Sequence, residues 1–142
     1  MRLISHRGNI NGKQPIIENM PSYVDTALKL GYDVEVDVWY ESDIFYLGHD
    51  FAQYEIKEEY LNNKRLWCHA KNSAALYFMR KANIHCFWHE GDDYTLTSQG
   101  YTWTYPKKEL HENSICVLPE LGYNGVLEKC FGICSDYVED YK

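Results

Sequence analysis

The chain has 142 residues and a formal charge of −7, with no run of Lys or Arg; the length suits one domain with a real core, and the charge lacks the basic footprint of a polynucleotide binder, so no nucleic acid is expected as a partner. No stretch approaches the roughly 18 consecutive apolar residues that span a bilayer, and the opening residues read as a strand rather than a signal peptide. Five cysteines, an odd number, with Cys130 and Cys134 not spaced as a CxxC pair, exclude a disulfide scaffold and a zinc ribbon and point to reduced thiols in the cytoplasm.

In chain order, residues 2–5 read as a strand. Tyr23, Val24, Ala27, Leu28 and Leu30 at helical spacing, with Pro21 in the first turn and Gly31 past the end, predict a helix over 21–30. Residues 33–40 alternate Val34, Val36 and Val38 with Glu35, Asp37 and Trp39, a strand that leads through Glu41-Ser42-Asp43 into a second one at 44–47. A short strand at 66–70 precedes a second helix over 73–82. Further strands are expected at 84–88, 94–97, 101–105, 115–118 and 131–135.

Strand, helix, strand at the start favours parallel pairing through right-handed crossovers, and the many later strands suggest closure. The expected fold is therefore α/β, a compact TIM-like (β/α) barrel forming one domain over 1–142. A full eightfold barrel takes about 200 residues or more, so several outer helices must be shortened or missing.

Chemistry concentrates on the second strand. Side chains alternate faces, so Glu35 and Asp37 share one while the three valines share the other. If the valines pack under helices, the acids look into the barrel mouth, where two like charges one pleat apart call for a divalent cation. The same alternation also fits a surface strand with a solvated acidic face. In the strand at 66–70 and its extension, Trp67, His69 and Lys71 share a face; an imidazole can complete a metal shell and an ammonium can steady a phosphate. His6-Arg7-Gly8 and Gly48-His49-Asp50 each place an imidazole where a strand gives way to a glycine-containing loop. Two such histidines can act as acid and base about a phosphorus atom, and Arg7 can fork onto its oxygens. Glu90, in an acidic loop after a strand, and Trp103, on a face with Tyr105, are possible substrate contacts. A solvated turn and ordinary core packing are the alternative readings of those two. His85 and His111 read as structural or surface residues.

The succession His6-Arg7-Gly8, Glu18-Asn19, Glu35-x-Asp37 and His49-Asp50 resembles the glycerophosphodiester phosphodiesterase family and its phospholipase-like relatives, which carry HRG, ENT, ExD and HD motifs in that order. The match is dense over residues 1–50. Beyond them, His69-Ala70-Lys71 is similar to an E-x-K strand, Thr102-Trp103-Thr104 to a late W-T strand, and Gly132-Ile133-Cys134-Ser135-Asp136 to a closing G-I-x-T-D strand.

The resemblance implies a metal-dependent phosphoric diester hydrolase. His6 and His49 would be its acid and base pair, Arg7 and Lys71 its phosphate holders, and Glu35 and Asp37 its metal ligands with Glu18 beside them. His69 stands where the family has a third carboxylate, which moves the expected metal from Mg²⁺ or Ca²⁺ toward Mn²⁺ or Zn²⁺. Met20 replaces the threonine of ENT, the hairpin before His49 lacks its usual glycine, and there is no room for the family's large insert. The expected partner is a small-molecule phosphodiester or a phosphorylated saccharide or lipid headgroup. A non-catalytic phosphate-binding module and a lyase or transferase that forms a cyclic phosphate are the alternatives.

Overall fold

The computed structural model describes residues 1–142. Its strands are β1 (Arg2–His6), β2 (Asp33–Glu41), β3 (Ile44–Leu47), β4 (Tyr54–Ile56), β5 (Leu66–Ala70), β6 (Cys86–Trp88), β7 (Tyr94–Leu96), β8 (Thr102–Thr104), β9 (Ser114–Val117) and β10 (Gly132–Ser135). The α-helices are α1 (Pro21–Lys29) and α2 (Ser73–Lys81). All ten strands belong to one curled mixed sheet. Seven run parallel in the order β6-β5-β2-β1-β10-β9-β8, the hairpin β3-β4 folds back from the end of β2, and β7 lies antiparallel on β8.

The expected TIM-like barrel is not what forms. The architecture is a half-barrel with two helices, not a ring of strands alternating with helices. Only the β1-to-β2 and β5-to-β6 crossovers are α-helical; the others use the β3-β4 hairpin, β7, a loop, or 3₁₀ turns at Pro119–Leu121 and Leu127–Lys129. At 142 residues the chain falls short of the about 200 that a full ring of strands and helices takes, and the connections other than α1 and α2 run as the hairpin, a short strand, loops and 3₁₀ turns.

The two faces of the sheet bury different chemistry. On the convex side Val34, Val36 and Val38 pack with Val24 and Ala27 of α1 and Ala75 and Met79 of α2. On the concave side Ile4, Trp67, Phe87, Trp103, Ile115 and Cys134 form a second core, with Phe87 and Trp103 stacked at 4.5 Å between centroids. Because β2 is covered on both faces, its inward Glu35 and Asp37 are 2% and 0% exposed, so a solvated acidic face does not describe them. Asn72 caps α2 by accepting the Ala75 N–H at 3.0 Å. At the β2-β3 turn Ser42 and Asp43 both take positive φ, 50° and 65°, the primed-turn geometry that a glycine would otherwise supply. All five cysteines are buried thiols, and no helix is long and apolar enough to cross a membrane.

Candidate active site

The site lies at the carboxyl ends of the parallel strands, where strand termini deliver side chains into the mouth of an α/β sheet. β1 ends in His6, and Arg7 follows with φ 56°. That left-handed conformation is uncommon for a non-glycine residue and is held from both sides: the Arg7 N–H donates to Glu35 O at 2.9 Å, and its carbonyl accepts from Asn19 N at 3.0 Å. The turn aims the guanidinium back at the acids. Arg7 Nε lies 3.0 Å from Asp37 Oδ2 and Nη1 3.4 Å from Glu18 Oε2.

Besides Arg7, three residues surround the Asp37 carboxylate. Asn19, itself buried with φ 64°, donates to Oδ2 at 2.9 Å and accepts the Asp37 N–H at 2.9 Å. His69 Nδ1 stands 3.2 Å from Oδ1 and 3.7 Å from Glu35 Oε1. Lys71 Nζ is 4.0 Å from Oδ1. His69 Nε2 is 2.8 Å from His89 O; a carbonyl only accepts, so Nε2 carries a proton, and Nδ1 faces the carboxylates, as a donor in the imidazolium and as a lone pair in the neutral ring. Carbonyl anchoring of the remote nitrogen is how metal-ligating histidines are oriented.

Glu35 Oε2 and Asp37 Oδ1 are buried without a hydrogen-bond partner. One donor atom from each of Glu35, Asp37 and His69 lies within 4.8 Å of the others. Such convergence of lone pairs is repulsive unless a cation lies among them, so these residues fit a divalent ion. The electrostatics divide accordingly. Burial, then the charge of Asp37, raises the Glu35 carboxyl above its ordinary range. Burial also opposes ionisation of Asp37, but contact with His69 and Arg7 outweighs it and holds that carboxyl well below the usual range.

His6 Nδ1 lies 2.7 Å from Asp136 Oδ1, and its Nε2 is 3.8 Å from Glu35 Oε2. Burial lowers the affinity of His6 for a proton, yet the hydrogen bond to Asp136 and the charge of Glu35 reverse the balance and raise its pKa. Asp136 is fixed in turn: Asn9 donates to Oδ1 at 2.8 Å, and Glu120 accepts the Asp136 N–H at 2.9 Å and the Ser135 hydroxyl at 3.0 Å. Asn9 also donates to Glu18 Oε1 at 2.9 Å. Glu18 thus sits beside Arg7 and Asn9, outside the Glu35, Asp37 and His69 cluster.

His49 is the outermost member, its side chain 42% exposed and its Nδ1 2.7 Å from Asp50 Oδ1. Gly48 places it. The Gly48 N–H donates to Asp37 O at 3.1 Å, its carbonyl accepts Trp39 Nε1 at 2.7 Å, and any Cβ there would collide with the Phe51 carbonyl. His6, Arg7 and His49 all line two adjoining clefts of about 550 and 380 Å³, and the smaller also takes in Glu35, His69, Lys71, Glu90 and Trp103. A roomier depression of about 680 Å³ at Arg2, Tyr32 and Phe131 holds no histidine.

Every residue proposed for the site from sequence except buried Asp37 therefore lines one of these clefts, and Asp37 lies directly behind them. His85 lies elsewhere, buried against Trp67 and Thr97, and His111 is exposed. Sequence reasoning gave no role to Asp136, Asn9 or His89. Asp136 and His89 each follow a strand end, which was the available signal; Asn9 becomes legible only once Glu18 and Asp136 are brought together. Comparison with protein-family models, with curated proteins and with solved structures gave no match.

Proposed function

We propose that this chain is a metal-dependent phosphodiester hydrolase of the kind its motifs resemble. The observation that carries the reading is the convergence of Glu35, Asp37 and His69 within 4.8 Å beside a histidine held by a buried aspartate. A divalent cation held by those three residues supplies Lewis-acid charge toward phosphoryl oxygens. Two oxygens and one nitrogen as donors suit Mn²⁺ or Zn²⁺ as well as Mg²⁺.

The chain's own groups do the rest. Lys71 and the edge of the Arg7 guanidinium not engaged by Asp37 and Glu18 hold the non-bridging oxygens. One imidazole of the His6 and His49 pair takes the proton of the attacking hydroxyl while the other gives a proton to the departing alkoxide. One P–O bond forms and one breaks. Water as nucleophile leaves a phosphomonoester and an alcohol; a neighbouring substrate hydroxyl leaves a cyclic phosphate.

The test is turnover of bis(p-nitrophenyl) phosphate and a panel of glycerophosphodiesters, with and without EDTA, and metal analysis of protein purified without chelator. We expect bound divalent metal, chelator-sensitive turnover, and a loss of about 10²- to 10⁴-fold in His6→Gln. Asp37→Asn should lose both metal and activity. Turnover indifferent to chelation, or absent from every diester, would overturn the proposal, and ³¹P NMR of the products separates hydrolysis from cyclisation.

A further inference from the structure

The depression of about 680 Å³ lies at the opposite end of the sheet from the candidate active site, at the amino ends of β1, β2 and β10. Its volume is that of a small-ligand site. Parallel sheets bind their substrates at the carboxyl ends of the strands, so the hydrolase reading makes no use of this end. β1 brings Arg2 and Leu3 to it, and the turn from α1 into β2 brings Leu30 and Tyr32. Phe131 comes from the residue before β10, and Lys142 from just beyond the 3₁₀ turn at Val138–Tyr141.

Two cations stand here with donors unspent. Arg2, its side chain half exposed, lies on the Phe131 ring with Cζ 6.0 Å from the centroid. Its nearest carboxylate oxygen, Asp33 Oδ2 at 3.6 Å, already accepts Trp67 Nε1 at 3.0 Å, and Arg65 Nε stands 3.4 Å from Oδ1 of the same group. Lys142 Nζ lies over the Tyr32 ring, 4.9 Å from its centroid, rather than on a carboxylate. The ring faces attract both cations without using up their N–H groups. Tyr32 itself is 2% exposed, and its hydroxyl is buried without a hydrogen-bond partner. A buried polar group in that state calls for an acceptor or donor that the chain does not supply. Glu128 is the one acid in the lining, so the side chains around the depression carry a net positive charge in a chain of net −7. Leu3 and Leu30, the latter 57% exposed, add apolar surface.

We infer that this depression is a second ligand site, for a small organic monocarboxylate. The carboxylate is drawn by Arg2 and Lys142 and accepts the Tyr32 hydroxyl, while a short apolar body lies on Leu3, Leu30 and Phe131. A shift of the flexible Lys142 stem, which lies over the Tyr32 ring, opens the hydroxyl to the bound acceptor. A single negative charge matches two cations offset by Glu128, and hydrogen bonds between charged groups are the strong ones.

The experiment is titration of the full chain with phenylpropionate, acetate and phenylpropionamide, followed by calorimetry and by amide-resolved NMR. Phenylpropionate should bind with Kd below about 1 mM. Acetate, which lacks the apolar body, and the amide, which lacks the charge, should each bind at least about tenfold more weakly. Shifts should centre on Leu3, Leu30, Gly31 and Phe131 rather than on Gly48 and His49. Arg2→Gln and Lys142→Gln, at exposed side chains where circular dichroism checks folding, should each weaken binding by about tenfold. Tyr32→Phe keeps the ring and should weaken it several-fold at unchanged Tm. No binding by about 10 mM, equal binding of the amide, shifts centred on the strand-end site, or affinity untouched by the substitutions would overturn the inference. The hydrolase reading is tested at the other end of the sheet and stands or falls separately.

Discussion

Asp136 controls the tautomer of His6. With its carboxylate 2.7 Å from Nδ1, the ring is held with Nδ1–H inward and Nε2 free toward the cleft, the arrangement in which a buried aspartate makes a histidine an effective base. Asp136→Asn keeps the volume but lets the amide donate to Nδ1, which moves the proton to Nε2. We expect kcat to fall by about 10²-fold or more with little change in Tm, measured by steady-state kinetics and thermal melts. Gly48 governs the second histidine by backbone alone. Gly48→Ala drives a methyl into the Phe51 carbonyl, so the loop must shift and take His49 with it. Activity should drop by about 10²-fold, because a misplacement of about 1 Å costs that much, while fluorescence and circular dichroism keep the native spectrum.

Among the elements, β2 is the pivot. It pairs with β1 and β5 along its first part and with β3 at its end, so both neighbours of the acidic pair are hydrogen-bonded into place. β6 depends on a different device. His85, just before it, is buried against the Trp67 ring at 4.5 Å between centroids and meets Thr97 Oγ1 at 2.9 Å. Burial lowers its pKa to about 4, below the value of about 6.5 in an unfolded chain. The unfolded state therefore binds more protons between those values, and stability present above pH about 6.5 is lost as pH falls toward about 4. In urea melts across that window, His85→Gln should lose up to about 1.4 kcal/mol per pH unit less than the parent chain. Parallel slopes for the two proteins would contradict this placement of His85.

On the scale of the whole molecule, the chain's last strand is central in space. β10 pairs with β1 on one side and β9 on the other, and Asp136 follows it directly into the site. Removing residues 131–142 splits the parallel sheet and uncovers Ile4 and Ile115, both fully buried. We expect the shortened chain to lose cooperative thermal unfolding and near-ultraviolet dichroism.

Much of the site could be read directly from the chain. A period of two places Glu35 and Asp37 on one face and the valines on the other whatever the tertiary context, because side chains of a strand alternate. Strand-to-glycine transitions likewise located His6 and His49. The strand list was largely legible for the same local reason, although β6 proved shorter than its apolar run, starting at Cys86 rather than residue 84.

What tertiary structure alone decided was closure and company. Whether parallel strands continue into a full ring depends on crossovers long enough to carry helices, and here 3₁₀ turns and hairpins leave a half-barrel. The partnership of His6 with Asp136, 130 residues apart, and the use of the His89 carbonyl to orient His69 follow from strand order, which local periodicity does not encode. A sequence specifies by short-range sterics which side of a strand an acid occupies; which groups meet it there is settled by long-range packing of the sheet.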